Sequence, residues 1–107
     1  MAGILVIVSD LMLSSRVVEP LKASGHDVTL RPQLPEAAPD GTEVVICDLD
    51  AVDSETAVAL GVPTLGFYSH TDVETRKRAL AAGFDVVVPR SRMVRELPDL
   101  VQGLLKD

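Results

Sequence analysis

The sequence predicts an α/β fold, a doubly wound parallel sheet of five strands, and three observations carry that prediction. Short apolar runs rich in branched residues recur along the chain, they lack polar residues at alternate positions, and helix-like segments separate them. Near-continuous apolar runs mean that both faces of each strand are covered, as happens when crossover helices pack on either side of a parallel sheet. At 107 residues and 47% hydrophobic content, the chain is expected to form one domain, 1–107, around a single core.

The first strand is expected over Ile4 to Val8. Leu13, Val17, Val18 and Leu21 follow at helical spacing, Pro20 is expected to bend that helix, and Gly25 ends it. A second strand spans Val28 to Leu30. The stretch from Arg31 to Thr42 holds Pro32, Pro35, Pro39 and Gly41, which leaves room for only a turn or two of helix around Glu36 to Ala38. This second helix is therefore abbreviated. Val44 to Cys47 forms the third strand, and Asp53 or Ser54 caps a short helix that stops at Gly61. Thr64 to Phe67 is the fourth strand, followed by a helix capped by Asp72 that runs through Ala82. Val86 to Val88 is the fifth. After it, Ser91 is expected to open a turn through Glu96, with Pro98 starting a separate terminal helix that carries Leu100, Val101, Leu104 and Leu105.

Charge narrows the function classes. A net charge of −6 argues against a nucleic-acid protein that works through a basic surface. Most of the positive charge gathers late, at Arg76, Lys77, Arg78, Arg90, Arg92 and Arg95. The lone Cys47 ends an apolar run and reads as a small core hydrophobe. The apolar run near the amino end is far shorter than the ~20 residues needed to span a bilayer, and no signal-peptide pattern brackets it, so a cytoplasmic protein without membrane contact is expected.

Five alternating strand and helix units in this length fit the flavodoxin-like sheet, strand order 2-1-3-4-5 with right-handed crossovers. Ligands of such sheets bind beyond the carboxyl ends of the strands. Ser9 and Asp10 end the first strand, Asp48 the third, Ser69 and His70 the fourth, and Arg90 follows the fifth. The loop Ser9-Asp10-Leu11-Met12-Leu13 has a carboxylate and no glycine, which argues against an FMN phosphate cradle, and glycine-rich nucleotide loops are absent.

With Asp48 closing Ile-Cys-Asp-Leu-Asp and Ser69 in Gly-Phe-Tyr-Ser-His, the chain resembles a receiver domain of two-component response regulators over nearly its full length. The resemblance implies that Asp48 is the phospho-acceptor, that Asp10 and Asp48 form a weak Mg²⁺ site if any, and that Ser9 stands where the family has a second acid. The family's lysine falls at Val88, before Pro89. If the strand continues through Pro89, Arg90 points the same way as Val88 and can reach inward. The match is thus to an atypical, pseudo-receiver-like member.

Plainer readings stand beside these. Asp48 also fits a turn or helix cap, Asp10 an ordinary N-cap bonded to Leu13, and Asp50 and Asp53 residues that shape the loop after the third strand. His70 reads as base, ligand or simple exposed loop residue. Arg76, Lys77 and Arg78, with Arg92 and Arg95, are either solvated faces or a partner surface.

No catalytic constellation is evident, so a non-enzyme is expected. The leading reading is a stand-alone receiver-like signalling module that binds a protein partner and is phosphorylated weakly or not at all. One alternative is a small-anion binder or enzyme using Asp10, Asp48, Ser69, His70 and Arg90, in a pocket that Ser9 also lines. Another is a homodimer through the fifth strand and the last two helices, resting on Met93, Val94 and Leu97.

Overall fold

The computed structural model describes residues 2–69 and 73–105. Its strands are β1 (Gly3–Ile7), β2 (Asp27–Arg31), β3 (Thr42–Asp48), β4 (Thr64–Tyr68) and β5 (Val86–Pro89). The helices are α1 (Leu11–Ala23), α2 (Ser54–Val58), α3 (Val73–Ala82) and α4 (Arg90–Leu105). All strand pairings are parallel, and the order is β2-β1-β3-β4-β5. The expected sheet and its order are thus observed.

Strand alternation explains why the runs are apolar throughout. Ile4, Val6, Val44, Ile46, Leu65, Phe67 and Val88 face one layer, where they meet Leu13, Val17 and Leu21 of α1 and Met93, Leu97 and Val101 of α4. Leu5, Ile7, Val45 and Cys47 face the other, against Ala57 of α2 and Ala79 of α3. Each central strand therefore needs apolar side chains at successive positions. Burial pushes the Cys47 thiol up to about 12, so the residue packs as a hydrophobe and not as a thiolate.

Two expectations about helices change. Between β2 and β3 no helix forms at all: residues 32–41 run as bends and irregular chain. Pro32, Pro35 and Pro39 each lack a backbone N–H, so a turn around Glu36 could not propagate, and Leu34 packs onto the second layer in its place. The abbreviation of this crossover is complete.

The carboxyl-terminal segment is the converse case. Instead of a turn and a separate helix, Arg90–Leu105 is one helix with Pro98 inside it. Met93, Leu97 and Val101 recur every fourth residue and are all fully buried. An interior proline costs about 3 kcal/mol, whereas burying each such side chain contributes about 1.5–3 kcal/mol. Continuity aligns the buried stripe and wins. The same burial removes Met93 and Leu97 from any association surface and leaves the homodimer reading only the half-buried Val94. Nor does β5 continue beyond Pro89: Arg90 is already helical.

Glycine closes α1 as expected. Gly25 has φ +90°, and its N–H donates to the Lys22 carbonyl at 2.9 Å. Among the described residues, no helix is long and apolar enough to cross a membrane.

Candidate functional site

Because all strands are parallel, β1, β3, β4 and β5 deliver Ser9 and Asp10, Asp48, Ser69 and Arg90 to the same edge of the sheet. His70 lies outside the described residues, as does Asp72.

Asp48 is held inward. It is 8% exposed, and its Oδ1 accepts the Asp50 backbone N–H at 3.0 Å. Its carbonyl accepts from the amides of Ala51 and Val52, both at 3.0 Å, which turns the chain tightly towards α2. Burial raises the Asp48 pKa above the ordinary carboxylate range; the Asp50 amide lowers it, the Asp50 charge raises it, Arg90 lowers it and Asp10 raises it. Asp48 therefore senses the charges of Asp50, Arg90 and Asp10.

The other expected site residues are already engaged. Asp10 Oδ1 accepts from the amides of Met12 at 2.9 Å and Leu13 at 3.2 Å, so this residue is the N-cap of α1. Ser69 does not bond to Asp48. Its amide and Oγ donate to Asp50 Oδ2 at 3.0 and 2.7 Å. Ser9 is exposed. Asp53 caps α2 through the amide and hydroxyl of Thr56, at 3.0 and 2.7 Å.

Mg²⁺ prefers near-octahedral oxygen coordination, with one or two carboxylates supplied by protein. Among the described residues no group of three His, Cys, Asp or Glu side chains is placed to hold a metal. Of the carboxylates at the edge, Asp10 and Asp48 are each engaged through Oδ1, by the α1 amides and by the Asp50 amide, and Asp50 Oδ2 accepts from Ser69.

The lysine position is closed to solvent. Val88 is 2% exposed within the layer of α1 and α4. Arg90, first residue of α4, instead joins Asp10, Met12, Leu13, Arg16 and Val94 around a cleft of about 180 Å³. Its Nε is buried and has no hydrogen-bond partner among the described residues. Arg16 escaped the sequence reading. The signal was available: in a helix capped at Asp10, Met12 and Arg16 are four apart and share a face.

The proposed partner cations divide into two sets. Arg76, Lys77 and Arg78 are exposed on α3, and the Arg78 charge helps to hold Asp53 below the usual carboxylate range, behind the two Thr56 hydrogen bonds. Val73 and Leu80 remain 55% and 43% exposed on the same helix. Arg92 and Arg95 of α4 both pair with Glu96, at 3.3 and 3.1 Å.

No protein-family profile matches the chain, and no curated protein matches it. Solved structures do. The non-phosphorylated HemR receiver domain from Leptospira biflexa is 18% identical, with a TM-score of 0.80 over 100% of this chain and 96% of that one. A response regulator from Thermotoga maritima is 10% identical, with a TM-score of 0.77 over 100% and 99%. The ChxR receiver domain from Chlamydia trachomatis is 20% identical, with a TM-score of 0.73 over 97% and 95%. At these identities the likeness establishes the receiver fold across the chain, and the chemistry rests on the residues themselves.

Proposed function

We propose that this chain, built on the receiver fold, is an atypical response-regulator signalling module that acts by binding a protein partner, with Asp48 phosphorylated weakly or not at all. The observation that carries the reading is the internal satisfaction of the site. Asp48 bonds the Asp50 amide, Ser69 bonds the Asp50 carboxylate, and Asp10 caps α1. A phosphoryl group arriving at Asp48 would have to draw Ser69 away from a charged acceptor, next to the uncompensated carboxylate of Asp50. Stabilising such a group requires positioned donors and cations. The buried Val88 supplies neither.

The partner surface is α3. Val73 and Leu80 lie on either side of Lys77 in the sequence, and Arg76 adds to the basic face. Exposed apolar residues beside cations suit an acidic protein surface with apolar contacts. Incubation with Mg²⁺ and acetyl phosphate or beryllium fluoride, followed by intact mass and melting temperature, tests the phosphorylation half. Little change is expected in the wild type or in Asp48→Asn; rapid stoichiometric labelling that Asp48→Asn abolishes would overturn it. For the binding half, Arg76→Glu with Lys77→Glu is expected to weaken capture of partner from lysate. Unchanged capture would remove α3 from the surface.

The Arg16 and Arg90 cleft favours a second reading, binding of a small anion. A thermal-shift screen of phosphates, nucleotides and carboxylates tests it, because a ligand that binds only the folded state raises the melting temperature. Arg90→Met should abolish any such shift, and a panel with no shift would discard the reading.

A further inference from the structure

The strand β2 forms one edge of the sheet, with β1 as its only strand neighbour among the described residues. In receiver-like sheets a crossover helix ordinarily follows this strand; here residues 32–41 carry none. Asp27, Leu30 and Arg31 are exposed, Leu30 by 39%.

The direction of the backbone groups can be read from the ladder. The Asp27 amide donates to the Ala2 carbonyl at 2.8 Å, and the Arg31 carbonyl accepts from the Val8 amide at 3.1 Å, so Asp27 and Arg31 turn their backbone groups towards β1. Backbone groups alternate along a strand, so those of Val28 and Leu30 face outward, on the open edge. The Leu30 carbonyl accepts from Arg31 Nη1 at 3.2 Å, a bond that an incoming strand would displace.

An open edge is a template for another strand, and proteins usually blunt it with charge. The charges of Asp27-Val28-Thr29-Leu30-Arg31 do not blunt pairing with a copy of the same strand. Laid antiparallel about a two-fold axis through Thr29, the strand sets Asp27 opposite Arg31 at both ends and Thr29 opposite Thr29 at the centre. Val28 falls opposite Leu30, and these are the two residues whose amides and carbonyls face outward, as the hydrogen-bonded positions of an antiparallel pair require. Opposite charges and paired threonines across strands are both stabilising. The receiving end is acidic as well: Asp27 lines a cleft of about 330 Å³ with Asp40 and Glu43, so an incoming Arg31 meets carboxylates on several sides.

We propose that a second copy of this chain docks antiparallel along β2, joining the two sheets into one through a self-complementary Asp27 to Arg31 edge. The other edge offers less. β5 ends at Pro89, which has no N–H, and carries no charge to set a register. A pairing of this length is a small interface, so association is expected to be weak and reversible. Each copy carries a net charge of −6, but at physiological salt repulsion beyond about 8 Å is screened, whereas the contacting pairs are not.

Sedimentation equilibrium from micromolar to near-millimolar concentration, at physiological salt, is the test. Wild-type protein should rise from 11.4 kDa towards twice that mass. Asp27→Arg alone and Arg31→Asp alone should each remain monomeric, since each sets like charges opposite one another. An equimolar mixture of the two should dimerise again, because each then meets the opposite charge. A monomeric wild type, or a dimer indifferent to both reversals, would overturn the proposal. So would failure of the folded variants to pair on mixing. If a reversal disturbs folding, Leu30→Pro decides: it removes an outward amide without touching the β1 ladder and should abolish the dimer, and a dimer that survives it refutes the pairing.

Discussion

If the proposed reading of Asp48 holds, Asp50 is expected to act as a brake on its phosphorylation. Its Oδ2 holds both the amide and the Oγ of Ser69, at 3.0 and 2.7 Å, and its charge adds to the factors raising the Asp48 pKa. For Ser69 to turn its hydroxyl towards a phosphoryl group on Asp48, the bond to Asp50 must break. A hydrogen bond to an ionised group contributes about 1.5–3 kcal/mol net. Both bonds here are exposed, which places the cost at the lower bound, and about 1.4 kcal/mol is a factor of ten. Asp50→Ala should therefore raise affinity for beryllium fluoride, or the labelling rate with acetyl phosphate, about tenfold. Loss of a negative charge beside the acceptor acts in the same direction. The Asp50 amide, which bonds Asp48, is retained. The assay is fluoride-dependent thermal shift and intact mass in the presence of Mg²⁺, run also in a Ser69→Ala background, where most of the gain should vanish. Equal or slower labelling by folded Asp50→Ala protein would refute this account of the site.

Asp48→Asn should be more stable than wild type at neutral pH. Burial raises the folded-state pKa of Asp48, so the stability tied to its protonated form is complete below about 3.9 and is lost as pH rises through the folded value. Melting curves at several pH values should show a gap that opens with rising pH, and a constant gap would sink the assignment. Gly66→Ala should cost about 1–3 kcal/mol, or about 4–12 °C in melting temperature. Its Cβ would lie 2.7 Å from Leu49 Cδ1 and 2.9 Å from Phe84 Cε2, both in buried residues; an unchanged melting temperature would mean that Leu49 moves aside freely. Leu97→Ala should cost about 2–5 kcal/mol in urea unfolding, and a change within about 0.5 kcal/mol would mean that α4 does not bury this side chain as a core residue.

The fold was legible because the residues that decide it act locally. Five branched, continuous apolar runs required a sheet covered on both faces, and the layers around Ile4 and Leu5 show why no position in β1 could be polar. The proline-rich stretch signalled a deficient crossover. Where local signals conflicted, the reading failed: Pro98 resembled a helix start, yet the spacing of Met93, Leu97 and Val101 carried the helix through it. The i, i+4, i+8 pattern straddles the proline, and the burial at stake outweighs the proline's cost.

The site was legible in position and not in connection. Parallel strand order brings Asp10, Asp48, Ser69 and Arg90 to one edge whatever the loops do, so their neighbourhood follows from topology. Which group bonds which depends on loop geometry between residues distant in sequence. Ser69 faces a choice between Asp48 and Asp50, and the tight turn after β3, fixed by the Asp48 carbonyl and by Leu49 packing over Gly66, presents Asp50. The cation shows the same dependence. Strand alternation alone would have aimed Arg90 along the direction of Val88, but the helix begins at Arg90 and redirects it to the cleft with Arg16. A cation at a helix amino terminus is disfavoured by the helix dipole by about 0.3–1 kcal/mol. With its buried Nε lacking a hydrogen-bond partner among the described residues, Arg90 on the small-anion reading serves the cleft and not a group on Asp48.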